Sequence, residues 1–278
     1  MKFTKMHGLG NDYVYVNAFD ETVADPAAMA VAVSRPHFGI GADGLVLIGP
    51  SAEADFAMRM FNADGSEGEM CGNAVRCIGK YVHDRGLTRK TEVRLSTLGG
   101  IKTLQLRLKD GSVDQVTVDM GEPAFSPASL PVELPGERIV NQPLTIDGQT
   151  HHITCVSMGN PHAVIFVDDP KAIDVHGIGR QIENHPLFPR RTNVEFVRVR
   201  RRDLLEMRVW ERGSGETLAC GTGAAASLVA AVLNGLADRS AVVQLTGGDL
   251  QVTWDSRDNH VYQTGPASFV FDGVWLGD

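Results

Sequence analysis

Cysteine followed by glycine occurs twice, in EMCGNAVRC and in LACGTGAAA, and the two cysteines, Cys71 and Cys220, stand 149 residues apart. Sliding the chain along itself by 149 positions brings five more features into line without a gap. Gly10-Asn11 meets Gly159-Asn160, and DFAMRMF, ending at Phe61, meets LLEMRVW, ending at Trp210. Glu67 falls on Glu216, Gly86-Leu87 on Gly235-Leu236, and the apolar strand LVLI (Leu45 to Ile48) on VEFV (Val194 to Val197). One ungapped offset joining separate segments is the mark of an internal duplication whose halves have diverged. A duplicated chain has to fold as two copies of one unit.

Each half reads in the same order: strand, Gly-Asn turn, strand, helical stretch, further strands, then Cys-Gly opening a helix. In the first copy Ala74, Val75, Ile78, Tyr81 and Val82 form an apolar stripe, with Arg76, Lys80 and Asp84 off it, and Gly86 stops the helix. In the second copy Ala224 to Leu233 is apolar almost all round, which predicts a helix buried at the centre of its lobe. TEVRLST, VDQVTVDM and AVVQLTG alternate like half-exposed strands. The expected class is α+β, two pseudo-symmetric lobes, each a β-sheet or barrel wrapped around a central helix. Residues 1–120 form the first lobe and 121–265 the second, with 266–278 expected to return to the first. Gly121 to Gly148 carries Pro123, Pro127, Pro131, Pro135 and Pro143 and reads as the connection between lobes.

Composition removes several classes of function. A net charge of −8 without a dense Lys/Arg tract argues against a nucleic-acid partner. The longest apolar run, Leu218 to Leu233, is too short to span a bilayer, and MKFTKMHGLGND lacks the apolar core of an export signal. The four cysteines form no CxxC, so no zinc site, other metal site or disulfide framework is expected. Free thiols without an export signal fit the cytoplasm. GIGADG (Gly39 to Gly44) matches a dinucleotide-loop pattern, but an apolar strand follows where a helix is required, so it is a turn. Cys77 and Cys155 read as small apolar packing residues.

Cys71 and Cys220 are different because each opens a helix. Unsatisfied backbone N–H groups and the positive end of the helix dipole stabilise a thiolate there. Gly72 and Asn73 after one cysteine, and Gly221, Thr222 and Gly223 after the other, let a carboxylate approach the backbone. Two such mouths facing one ligand suit inversion at a carbon bearing a weakly acidic hydrogen. One thiolate removes the proton from one face and the opposing thiol supplies another, so the pair titrates as a unit. Amide donors hold the charge that develops on the carboxylate. No metal motif or pyridoxal lysine is evident, so no cofactor is expected.

HGLGNDYVYV, FNADGSEGEMCGNAVRC, SMGNPHAV, RTNVEFV and ERGSGETLACGTGAAA together resemble diaminopimelate epimerases over nearly the whole chain. The resemblance implies a pyridoxal-independent homodimer that interconverts LL- and meso-2,6-diaminopimelate, with Cys71 and Cys220 as the acid–base pair. It implies that Gly72, Asn73, Gly221 and Thr222 hold the reacting carboxylate. Asn11, Asn62, Asn160, Asn193, Glu211 and Arg212 are implied substrate contacts, and His162 and Glu211 are implied to support ionisation of the cysteines. His162, after Asn160-Pro161, reads equally as a turn histidine on its residues alone. Where some members carry a glutamine contact, this chain has Gly44. The far head of diaminopimelate is a second zwitterion, for which Arg212 offers a bidentate donor and Glu211 an acceptor. A related racemase acting on proline would want an apolar far wall instead. A two-lobed amino-acid binding protein would explain the duplication but not a thiol in each half.

Overall fold

The structure, a computed structural model, describes residues 1–277. It divides into two units, Met1–Val118 with the segment from Gly265 onward, and Asp119–Thr264. The first unit runs β1 (Lys2–Gly8), β2 (Asn11–Asn17), α1 (Pro26–Ser34), β3 (Gly44–Gly49), β4 (Phe56–Asn62), β5 (Glu67–Gly68), α2 (Gly72–Asp84), β6 (Glu92–Thr97), β7 (Gly100–Lys109) and β8 (Ser112–Asp119). The second contains β9 (Gln142–Ile146), β10 (Gln149–Ser157), β11 (Pro161–Phe166), α3 (Val175–Glu183), β12 (Asn193–Arg201), β13 (Leu204–Glu211), β14 (Gly215–Thr217), α4 (Gly221–Leu233), β15 (Ser240–Leu245), β16 (Gly248–Trp254) and β17 (Val261–Gly265). A last strand, β18 (Ser268–Val274), pairs antiparallel with β1 in the first unit.

The duplication is borne out element by element. α1 and α2 recur as α3 and α4 at the 149-residue offset, with the same lengths of 9 and 13 residues. Their caps recur too: Asp25 accepts from the Ala28 amide at 3.0 Å, and Asp174 from the Gly177 amide at 2.9 Å. Strand pairing repeats down to direction. β2 runs parallel to β3 as β11 does to β12, and β4 parallel to β6 as β13 does to β15, while the neighbouring pairs are antiparallel. Even a surface ion pair is kept, Arg59 to Glu67 in one unit and Arg208 to Glu216 in the other, two hydrogen bonds each.

Within a unit the sheet is apolar on both faces because it is covered on both. In the first, Val14, Val16, Leu45, Leu47 and Phe61 pack with Ala30 and Val33 of α1. The alternate side chains face α2, which packs on β1, β2 and β7. In the second, Val194, Phe196 and Trp210 pack with Val175 and Ile182 of α3, and α4, buried from Gly223 to Ala231, packs on β10, β12 and β16. Each unit is thus a sheet wrapped on a central helix. No helix among the described residues is long and apolar enough to cross a membrane.

Two expectations need correction. The proline-rich stretch is more than a connection: β9 pairs with β10, and Leu130, Val132 and Ile139 are buried in the core beneath α3. The prolines break any periodic signal, yet those three side chains have apolar surface to bury. Arg76 does not sit on a solvated face of α2 either, being 0 % exposed. Its guanidinium is satisfied internally, which the binary pattern of polar and apolar residues does not anticipate.

Candidate active site

The two cysteines are N-caps. Cys71 precedes α2 and Cys220 precedes α4, both with extended backbone. The first helical bonds are those from Val75 N to Cys71 O at 2.9 Å and from Ala224 N to Cys220 O at 3.0 Å. The preceding amides in each first turn are therefore not used in the helix ladder and point out of its mouth.

At the mouth in the first unit, the half-exposed Cys71 thiol lies 3.3 Å from Asn11 Oδ1, and Asn11 Nδ2 donates to Asp43 at 2.7 Å. Arg76, one turn inside the helix, donates to Asn73 Oδ1 at 2.7 Å and reaches Gly72 O at 3.4 Å and Pro266 O at 3.3 Å. Burial lowers this guanidinium from its ordinary value, and its charge acts on Cys77 and Cys71. Asn62 ends β4 and its amide donates to Ser66 at 3.0 Å. Gly44 lies opposite Asn62 on β3, where an added Cβ would stand 2.0 Å from the Phe61 carbonyl oxygen. No side chain fits there.

The second mouth is more enclosed. Cys220 is 5 % exposed, and its sulfur accepts from the Gly223 amide at 3.3 Å and lies 3.5 Å from Thr222 Oγ1. Burial raises this thiol well above its ordinary value, and the nearby carboxylates of Glu211 and Glu195 add to the effect. Glu211 is itself raised by burial, partly offset by the Thr217 hydroxyl that donates to Oε1 and by the Cys220 thiol. Asn160 donates to Thr222 Oγ1 at 3.2 Å, and its Oδ1 faces His162 Nε2 at 3.0 Å. His162 Nδ1 lies 2.6 Å from Glu195 Oε1, both side chains fully buried.

Asn193 holds the turn after β13, since its Oδ1 accepts from the Arg212 amide at 2.9 Å and its Nδ2 donates to Pro161 O at 2.8 Å. Glu183, at the end of α3, clamps the same turn through Gly213 N at 2.9 Å and the Trp210 indole at 2.7 Å. Glu211 and Arg212 do not pair. Glu211 turns inward toward Cys220, whereas the Arg212 guanidinium is exposed and touches Arg190 O at 3.3 Å. Cys77 and Cys155 are buried apolar fillers, as expected, and burial pushes each thiol up to about 12.

Asn11, Gly72, Asn73 and Cys71 thus gather at one mouth, and Asn160, His162, Glu211, Cys220, Gly221 and Thr222 at the other. Three residues at these mouths went unread in the sequence: Arg76, Glu183 and Glu195. Arg76 and Glu195 each left one signal, a charge among apolar neighbours, in NAVRCI and in VEFV.

A family model described as diaminopimelate epimerase matches residues 3–126 and 154–270. The chain belongs to the diaminopimelate epimerase family. It is 60 % identical over 273 residues, 98 % of each chain, to a diaminopimelate epimerase of Acetivibrio thermocellus. It is 55 % identical over 281 residues to one from Desulfovibrio desulfuricans, covering 99 % of this chain and 98 % of the relative. Among solved structures it is similar to a hydroxyproline epimerase from Agrobacterium vitis, with a TM-score of 0.72 at 16 % identity, covering 98 % of this chain and 90 % of that one. A PhzF-family phenazine biosynthesis protein from Bacillus anthracis gives 0.73 at 15 % identity over 99 % of both chains. These two share the fold. Membership of the epimerase family makes the chain an isomerase acting on a small molecule.

Proposed function

We propose that this chain interconverts LL- and meso-2,6-diaminopimelate by moving a proton between two cysteines, without metal or pyridoxal. The observation that carries the proposal is that topologically equivalent helices in the two units each begin with a cysteine N-cap. In the forward step a thiolate takes the α-hydrogen from one face of the carbon. The released electron pair spreads onto the carboxylate, where the amides of Gly72, Asn73, Gly221 and Thr222 hold it. The opposing thiol then gives its proton to the other face, and the two sulfurs end with exchanged protonation states.

The electrostatics support unequal starting roles. Burial and two carboxylates favour Cys220 as the neutral donor, and Glu211 is placed to relieve it of its proton in the reverse direction. Cys71 is more open and feels the Arg76 charge, which suits a base. Asn62, Asn193 and Arg212 give the far end of the substrate polar partners, as a second amino-acid head demands. The same reading makes the working unit a cytoplasmic homodimer. Assaying purified enzyme with LL-diaminopimelate and with L-proline tests the substrate class. Formation of meso-diaminopimelate alone is expected, and turnover of proline alone would overturn the assignment.

A further inference from the structure

The His162–Glu195 pair has no counterpart in the other copy. At the 149-residue offset His162 corresponds to Tyr13 and Glu195 to Val46, on strands paired in the same register. The first unit folds with no ionisable carboxylate at that point, so the architecture does not require one. A buried carboxylate is costly, and this one has an oxygen, Oε2, without a hydrogen-bond partner among the described residues. Packing does not account for it.

Its contacts do. Oε1 lies under the mouth of α4, where a Cβ added to Gly223 would come within 2.7 Å of it. Asn160 donates Nδ2 to Thr222, which leaves its Oδ1 as the group facing His162 Nε2. His162 therefore has an acceptor oxygen at each ring nitrogen, Glu195 at 2.6 Å and Asn160 at 3.0 Å. The ring is thus held from both sides, by Glu195 at one nitrogen and by Asn160 at the other. From Glu195 an unbroken chain runs through His162, Asn160 and Thr222 to the Cys220 sulfur, all within one unit.

We propose that Glu195 is a positioning residue that anchors the His162 ring and thereby fixes Asn160 and Thr222 against Cys220. The inference deepens the proposed epimerisation and rests on that reading for its kinetic consequence. The titratable groups facing the pair are Glu211 on β13, the Cys155 thiol on β10 and the Cys220 thiol at α4. Without the Glu195 carboxylate the ring loses its partner at Nδ1 and is free to turn, releasing Asn160.

The test is Glu195→Gln, which keeps the shape and removes the charge. Nitrogen-15 NMR of the His162 ring at pH 7.5 reads the inference directly, independently of turnover. A single ordered set of ring signals in the parent and exchange-broadened or multiple sets in the variant are expected. Epimerisation of diaminopimelate should fall about 100-fold in kcat with KM within about threefold, and the pH profile should change shape. Ring signals as ordered in Glu195→Gln as in the parent, or a kcat within twofold of the parent, overturn the proposal. Should Glu195→Gln not fold, the double substitution Glu195→Val with His162→Tyr copies the first unit. It is expected to fold and to have lost at least as much activity, and full activity in it would equally overturn the proposal. A parent enzyme that showed the ordered ring but did not turn over diaminopimelate would instead sink the proposed substrate.

Discussion

The guanidinium of Arg76 donates to Asn73 Oδ1 at 2.7 Å, one helical turn inside the mouth that Cys71 caps. A cation buried at that depth ties the first turn of the helix to the Pro266 carbonyl and puts positive charge near the sulfur. At the corresponding place in the other copy stands Ala225, so the fold alone does not demand it. Arg76→Met should cost about 1–3 kcal/mol for each buried acceptor left unmade. It should also slow alkylation of Cys71 by iodoacetamide at neutral pH. Arg76→Lys keeps the charge but not the planar fork, and is expected to recover the alkylation rate better than the stability. Thermal melts and peptide-level mass spectrometry check both. Equal alkylation of Cys71 in all three proteins would refute the electrostatic part.

The buried thiols set the behaviour in alkali. Cys77 and Cys155 are pushed by burial from 9.0 up to about 12, and Cys220 is raised as well. Each binds its proton more tightly folded than unfolded. The stability this reflects is fully present below about pH 8.5 and is lost as pH climbs from there toward about 12. Each thiol contributes a slope of about 1.4 kcal/mol per pH unit once its unfolded form ionises. Urea melts of the parent and Cys155→Val between pH 8.5 and 10.5 should show the shallower fall in the variant. Parallel curves would mean that Cys155 is not held protonated.

Thr217 tunes Glu211. Its hydroxyl donates to Glu211 Oε1 and lowers a carboxyl that burial has raised. Thr217→Val therefore pushes Glu211 higher still. On the proposed reading, in which Glu211 takes the Cys220 proton as a carboxylate, the acid limb of the kcat/KM profile should move to higher pH. An acid limb that stays put would exclude Glu211 from it.

Gly44 has no room for the glutamine that some family members carry. An added Cβ would lie 2.0 Å from the Phe61 carbonyl oxygen on the paired strand. Gly44→Ala should cost about 1–3 kcal/mol through overpacking, and Gly44→Gln more. Denaturant midpoints decide it, and an unchanged midpoint for Gly44→Gln would show that the strand yields.

Repetition made the fold legible. The matching Cys-Gly, Gly-Asn and Met-Arg segments place α2 and α4 in equivalent roles, and the structure returns both helices at the 149-residue offset. The cysteines stood out because a helix mouth gives a thiol chemistry that a strand does not. Arg76 and Glu195 were hidden for one reason: a charged side chain amid apolar neighbours scores as a break in the pattern, not as a group with buried partners. Glu183 was hidden differently, since its partners, Gly213 and the Trp210 indole, are 30 and 27 residues away. Leu130 and Ile139 were masked by prolines that carry no periodicity. Where the two copies differ at aligned positions, as at Arg76/Ala225 and Glu195/Val46, comparison of the halves would have exposed both.

The most direct measurement follows the α-hydrogen. LL-diaminopimelate is converted in deuterated water and sampled early, and deuterium is counted separately in product and recovered substrate. With distinct thiols on the two faces, meso product carries solvent deuterium from the first turnover while recovered LL substrate stays protiated. Equal early labelling of both pools would mean one exchanging base, and the two-cysteine account would be wrong.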